Sequence, residues 1–263
     1  MKCTASRFSR RQFLAAGAAG AATIVSGGCD RLSAAPTFRE FLAGAEGLTQ
    51  RVQHALLWRG SRAREYSRAD ISPVFRANGS QDASALPPGY SDAAERGFPD
   101  WRLQVNGLVN RPSSFTLRDI RQLPARSQIT RHDCVEGWSC IGGWTGLPLS
   151  VVLEGVGLKP EARFVVFHCS DELPLYRDGR NPFYESIDLI DAYHPQTILA
   201  YDLNGMPLDV AHGAPLRLRV ERQLGYKMAK FLNRIEIVSR LDTVRGGKGG
   251  TWEDDGYEWY AGI

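Results

Sequence analysis

Two stretches hold the residues best suited to chemistry. The first is Thr130 to Pro148, TRHDCVEGWSCIGGWTGLP, which puts Cys134 where an alternating run gives way to glycine and tryptophan. The second is His212 to Lys230, HGAPLRLRVERQLGYKMAK, where Arg217, Arg219, Arg222, Lys227 and Lys230 crowd beside Gly213 and Gly225. Apart from packing as a small hydrophobe, Cys134 has three chemical uses: a nucleophile paired with His132, a donor in a copper or zinc site shared with histidines, or a thiolate ligand to a cofactor metal. On a strand His132 and Cys134 point to the same face, so a Cys-His pair is geometrically allowed, whereas His168 and Cys169 face opposite ways and cannot share one ion without a bulge. The basic stretch reads either as a solvated strand face or as a cradle for an anion.

These residues need elements to position them. Ile129, Arg131 and Asp133 alternate with Thr130, His132 and Cys134, which predicts a strand from Ser127 that delivers the thiol at its C-terminal end. After Cys134 the glycines 137, 142, 143 and 146 predict an irregular loop, in which Trp138 and Trp144 would wall a bulky flat cofactor. Upstream, helical spacing predicts an amphipathic helix over Glu46 to Arg59, Asn78-Gly79 a turn, and Trp101 to Val109 a strand. Ser114 to Ile120 reads as a short helix in which Thr116 and Asp119 form a capping box. Downstream, Pro148 and Gly157 bracket a helix over Leu149 to Val156, and Arg163 to Ser170 reads as a buried strand. Ser186 to Tyr193 reads as another short helix. Asn204-Gly205 marks a hairpin, and strands at Leu216 to Val220 and Phe231 to Ser239 complete the set. Strands outnumber helices and their connections are irregular, so the class is α+β with a β-rich core rather than repeating βαβ units.

At 263 residues and 43% apolar, the chain can bury a sizeable core, and no repeat of solenoid length stands out. Ser9-Arg10-Arg11-Gln12-Phe13-Leu14 followed by a weakly apolar run to Val25 reads as a twin-arginine export signal. That route carries proteins already folded, often around a cofactor made in the cytoplasm. The expected organisation is a signal and cleavage region over residues 1–35 and one domain over 36–263, in the periplasm. Cleavage fits Ser33-Ala34-Ala35, and Val25 to Cys29 is a competing lipoprotein-like box, with Cys29 as the lipid anchor. The signal region carries Lys2, Arg7, Arg10, Arg11 and Arg31 against Asp30, so its removal takes the net charge from +3 to −1. A near-neutral body has no electrostatic case for nucleic acid. Cys134, Cys140 and Cys169 then remain, with no C-x-x-C spacing to suggest structural zinc or iron–sulfur.

Taken in order, RHDCVEGWSCIGGWTGLPL, HP-TILAYDLNG-PL and GAPLRLRVERQLGYK-AK resemble the molybdopterin-binding domain of the sulfite oxidase family over Ser72 to Ser239, especially its short bacterial periplasmic members. The resemblance implies that fold and a molybdenum–molybdopterin cofactor. It also implies that Cys134 binds the molybdenum and is the catalytic centre. For the pterin and its phosphate it implies Arg217, Lys227 and Lys230, with His212, Phe75, Arg76, Asn78 and Cys169 as further cofactor contacts. A soft thiolate suits this metal, and a phosphate suits a cationic cradle. The implied activity is two-electron oxygen-atom transfer on a small S- or N-centred oxo substrate, as a reductase. Sulfite oxidation and a non-catalytic exported binding protein of the same fold are the alternatives. Sulfite-oxidising members keep an arginine five residues after the ligand cysteine, where this chain has Ser139. The chain also ends at WEDDGYEWYAGI where they continue into a dimerisation domain, which points to a monomeric catalytic subunit. With no C-x-x-C-H for haem attachment, electrons would pass through a membrane haem b subunit, as the family uses.

Overall fold

A computed structural model describes residues 35–56, 61–81, 83–172 and 182–263. The twin-arginine motif, Cys29 and Arg59 lie outside the described residues. Contacts divide the chain into residues 1–52 and residues 53–263. Helix α1 (Pro36–Leu56) begins well before Glu46, with Pro36 at its first position, where proline's missing N–H costs nothing. Among the described residues no helix is long and apolar enough to cross a membrane.

The second unit is built on two five-stranded sheets. Its elements are α2 (Tyr90–Glu95), β1 (Arg102–Gly107), β2 (Ser113–Thr116), α3 (Leu117–Gln122), β3 (Arg126–Asp133), β4 (Ser139–Pro148), α4 (Leu149–Val156), β5 (Phe164–Cys169), β6 (Tyr184–Asp188), α5 (Leu189–Ala192), β7 (Ile198–Leu203), β8 (Met206–Pro207), β9 (Arg217–Arg219), β10 (Leu232–Val238) and α6 (Thr251–Asp254). One sheet runs β2-β1-β10-β5-β6, the other β3-β4-β7-β8 with β9 also on β7. Every pairing is antiparallel except β1 with β10. This is the α+β, β-rich architecture the sequence predicts. Helix α4 buries Leu149, Val152, Leu153 and Val156, one stripe at helical spacing, in a core shared with Val165, Phe167, Leu199, Leu218 and Ile235.

Local signals act where they were expected. Thr116 Oγ1 accepts the Asp119 N–H at 3.0 Å and the Asp119 carboxylate accepts the Thr116 N–H at 2.8 Å, closing the capping box of α3. The helix itself starts at Leu117, because Ser113 to Thr116 pairs with β1 instead. Asn204 and Gly205, with φ of 53° and 81°, turn β7 into β8.

Two expectations change. The glycine- and tryptophan-rich run is not a loop beyond Trp138: residues 139–148 form β4, paired with β3 from Asp133↔Ser139 to Arg126↔Gly146. Its glycines serve close strand approach; a Cβ on Gly146 would lie 2.3 Å from the Leu199 carbonyl oxygen on β7. Likewise Tyr184 to Asp188 is a strand on β5, and only Leu189 to Ala192 of the expected helix is helical. Polar Glu185 and Ser186 disguise this strand. Both are fully buried, with Ser186 Oγ donating to Gly249 O and Glu185 paired to Lys227.

Candidate active site

β3 ends at Asp133, and the next residue is Cys134. A tight loop holds it there: the Cys134 N–H donates to Trp138 O at 2.9 Å, and the Gly137 N–H returns to Cys134 O at 3.0 Å. The thiol is half-buried in its loop. Burial pushes the thiol above its ordinary value, against a backbone hydrogen bond from Glu136 and the positive charge of Arg76. Without a metal it is a neutral thiol and a poor nucleophile. His132 does not activate it. Arg219 Nη1 lies 2.9 Å from His132 Nδ1 and can only donate, so Nδ1 accepts and Nε2 carries the proton. Burial and then the charges of Arg219, Arg217 and Lys230 hold His132 well below its ordinary value. The ring packs on Gly225, where a Cβ would stand 2.4 Å from Nε2. Among the described residues no three His, Cys, Asp or Glu side chains gather as a metal site. Of the three uses of the thiol, a ligand to a cofactor metal is the one the surroundings favour.

Cys134 lines a cleft together with Asn78, Ser80, Asp171, Tyr226 and Lys230, enclosing about 720 Å³ of free space, solvent included. That is the size of a small-molecule or cofactor pocket. Ser80 Oγ donates to Asp171 at 2.7 Å, and burial pushes Asp171 up to about 6.

All five cations of the basic stretch are buried, and their partners sort them. Arg219 binds Glu221 through Nε and Nη2 at 2.9 and 2.7 Å, Arg222 pairs with Asp191, and Lys227 Nζ lies 2.5 Å from both Glu185 and Glu253. Arg217 and Lys230 differ. Among the described residues neither has a carboxylate within ion-pair distance: Arg217 donates to His212 O at 3.0 Å and Met228 O at 3.4 Å, and Lys230 to Ser80 O and Ala211 O. Among the described residues Arg217 Nε has no hydrogen-bond partner. Burial first, and then repulsion from Arg219, lowers Arg217 to about 9; burial first, and then repulsion from Arg217, lowers Lys230 to about 7. A buried cation without a counter-charge is costly, and an anion such as a pterin phosphate would relieve both. The donor set therefore fits the cofactor that the family resemblance implies: one thiol for a soft metal, and two uncompensated cations for a phosphate.

The remaining expected contacts divide. Phe75 packs edge-on to His132, Trp144 and His212, with ring centroids 5.8, 5.1 and 5.8 Å away. His212 Nε2 meets Phe75 O at 3.0 Å, so Phe75, His212 and Arg217 form one connected group. Exposed Arg76 stacks on Trp138 at 5.1 Å, and Asn78 lines the cleft. Cys169 and Lys227 are not brought to the cleft surface. Cys169 is buried in the main core, and Lys227 has both flanking carboxylates as partners. Arg219 is an ion-paired core residue rather than part of a solvated strand face. Ser80, Asp171, Tyr226, Trp252 and Tyr257 line the cleft without having been expected there. What joins them is a shared cleft, which spacing along the chain does not show.

Lys230 gives a pH signature. Its folded value near 7 lies below the ordinary 10.5, so between these values the unfolded chain holds a proton that the folded chain lacks. Stability of cofactor-free protein is thus expected to rise with pH across that window. Urea unfolding at pH 7.5 and 9.5 should show the rise, and Lys230→Met should flatten it; an equal slope in both proteins would remove the uncompensated cation.

The chain matches the family described as oxidoreductase molybdopterin binding domain over residues 91–243. A protein of Azospira oryzae, provisionally named protein-methionine-sulfoxide reductase subunit YedZ1, is 37% identical over 174 residues, 66% of this chain and 60% of that protein. The protein-methionine-sulfoxide reductase catalytic subunit MsrP of Xanthomonas campestris is 35% identical over 147 residues, 54% of this chain and 46% of that one. The chain thus spans less than two thirds of these relatives' length. Among solved structures, the sulfane dehydrogenase SoxCD of Paracoccus pantotrophus aligns with a TM-score of 0.49 at 25% identity, covering 56% of this chain and 40% of that one.

Proposed function

The chain belongs to the oxidoreductase molybdopterin binding domain family, and from that premise we propose an exported molybdenum–molybdopterin reductase that removes the oxygen atom from a small organic S-oxide or N-oxide. For a sulfoxide the balance is one sulfoxide plus two electrons and two protons, giving the corresponding thioether and water. When bound, the cofactor supplies the two-electron couple and the site that accepts the oxygen. Cys134 would hold the metal, Lys230 and Arg217 the phosphate, and the Phe75–His212 pair would brace Arg217 through the His212 carbonyl. The carrying observation is the sorting of the buried cations: of five, the two without carboxylates are Lys230, beside Cys134 in one cleft, and Arg217, joined to that cleft's lining through Met228 O.

Reduction rather than oxidation is supported by the names of relatives at 35–37% identity. Those relatives are also named as subunits, which supports an electron partner; we assign that role to a membrane haem b protein. Export is supported by Ser9 to Leu14, with the folded protein acting in the periplasm, lipid-anchored if Cys29 is modified. The test is one assay on periplasmic fractions with a reduced viologen as electron donor. Fractions from cells carrying the natural chain should reduce methionine sulfoxide, and fractions from an Arg10→Lys/Arg11→Lys chain should not. Activity on sulfite as a reductant, and none on S-oxides or N-oxides, would overturn the direction proposed.

A further inference from the structure

The residues lining the cleft divide by chemistry. Asn78, Ser80, Asp171 and Lys230 are polar, whereas Tyr226, Trp252 and Tyr257 form an aromatic wall. Tyr257 stands edge-on to Tyr226 with centroids 5.4 Å apart and tilted against Trp252 at 5.3 Å. Trp252 and Tyr257 lie beyond residues 91–243, so the chain's C-terminal segment adds a surface to the cleft that the family-matched stretch does not contain. The wall is fixed in place. Glu253, next to Trp252, is tied to Lys227; the Tyr226 hydroxyl donates to Glu258 O at 2.6 Å; and the Tyr257 N–H donates to Trp252 O at 3.0 Å. Yet Tyr257 remains 40% exposed, so a ligand can reach it.

We infer that Tyr226, Trp252 and Tyr257 are the substrate-recognition wall of this cleft, and that they select a neutral organic S-oxide carrying an apolar arm over inorganic oxyanions. This deepens the S-oxide reading above and rests on it. Aromatic faces attract thioether and alkyl groups and, being electron-rich, disfavour an oxyanion. Among the described residues the lining carries one cation, Lys230, against the carboxylates of Glu136 and Asp171. With Lys230 assigned to the cofactor, a doubly charged substrate such as sulfite would meet the two carboxylates of the lining, against the positive charge of Arg76, which is stacked on Trp138. A neutral sulfoxide with a hydrophobic substituent meets no such penalty and gains the wall.

The test uses holoenzyme and two readouts. In steady-state reduction of methyl p-tolyl sulfoxide and of dimethyl sulfoxide, Trp252→Ala and Tyr257→Ala should raise KM for the aryl substrate about tenfold, with KM for the small one and kcat changing less than about twofold. Molybdenum content should match wild type in both, and Tyr257→Ala should melt like wild type, whereas Trp252→Ala also removes packing against the main core and should melt lower. Trp252→Phe and Tyr257→Phe should restore the aryl KM, which a merely structural role would not require. The second readout is calorimetric binding of a tripeptide containing methionine sulfoxide, where Tyr257→Ala should weaken Kd about tenfold. Unchanged KM ratios together with unchanged Kd would overturn the wall while leaving the reductase reading standing. Wall-dependent binding without any S-oxide turnover would keep the wall and sink the reductase reading.

Discussion

Cys134→Ser is expected to lower turnover by roughly 100-fold or more while leaving the melting temperature where it was. The lower bound follows because losing even a group that only orients a metal ligand costs about 10–100-fold, and here the ligand itself is replaced. Serine keeps the shape and loses the soft donor. The fold has little reason to respond, since the loop is held by backbone bonds between Cys134 and Trp138 and between Gly137 and Cys134, which serine preserves. Burial holds the free thiol in its protonated form, so metal loading must release a proton from Cys134 and should protect it from alkylation. Cys140, whose thiol donates to the Val74 carbonyl and which packs against the Phe75–Trp144 cluster, is the control. Cys140→Ser should keep molybdenum and activity. Wild-type turnover by Cys134→Ser, or loss in both variants alike, would show that the metal is held elsewhere.

Sequence alone placed Cys134 at the end of a strand because the signals around it are local. Alternation over Ser127 to Asp133 places the thiol at a strand end, and the Thr116–Asp119 box, Gly157 and Asn204-Gly205 punctuate their elements through contacts a few residues away. What escaped it depends on contacts between distant residues. The glycines of β4 look like loop residues until β7 is laid against Gly146. Ser186 reads as the start of a helix, and polar Glu185 before it does not suggest a buried strand, until their partners arrive from Gly249 and Lys227, 63 and 42 residues away. The same applies to the basic stretch. Its charges look alike in sequence, but Asp191 reaches Arg222 across 31 residues and Glu185 reaches Lys227 across 42, so only tertiary structure separates the neutralised cations from Arg217 and Lys230. Trp252 and Tyr257 escaped for a related reason: short of the fold, WEDDGYEWYAGI is a tail with no period.

Lys227→Met should therefore act on the fold and not on the cofactor. Lys227 joins β6, through Glu185, to α6, through Glu253, with all three side chains buried. Burial alone would lower the lysine, but the two carboxylates outweigh it and raise it, so the ammonium is charged at any physiological pH. Methionine preserves the stem and leaves two carboxylates facing each other out of water. Breaking a buried ion pair in this way costs about 3–5 kcal/mol, or roughly 10 °C in melting temperature for a chain of this size. The deficit should depend on pH. Burial, with Lys227 opposing it, holds Glu185 well above its ordinary value of 4.5 even in the intact protein, and losing the lysine removes the main opposing charge, leaving the hydrogen bond from the Ser186 N–H. A folded value raised above the unfolded one contributes stability that is lost as pH rises, so the variant should be closest to wild type near pH 4.5 and fall further behind toward neutrality. Adding Glu185→Gln and Glu253→Gln should recover most of the loss by removing the stranded charges. If Lys227 instead bound the pterin, Lys227→Met would lose molybdenum while melting like wild type. Molybdenum content per folded chain, measured beside thermal melting at pH 5 and pH 7.5, separates the two.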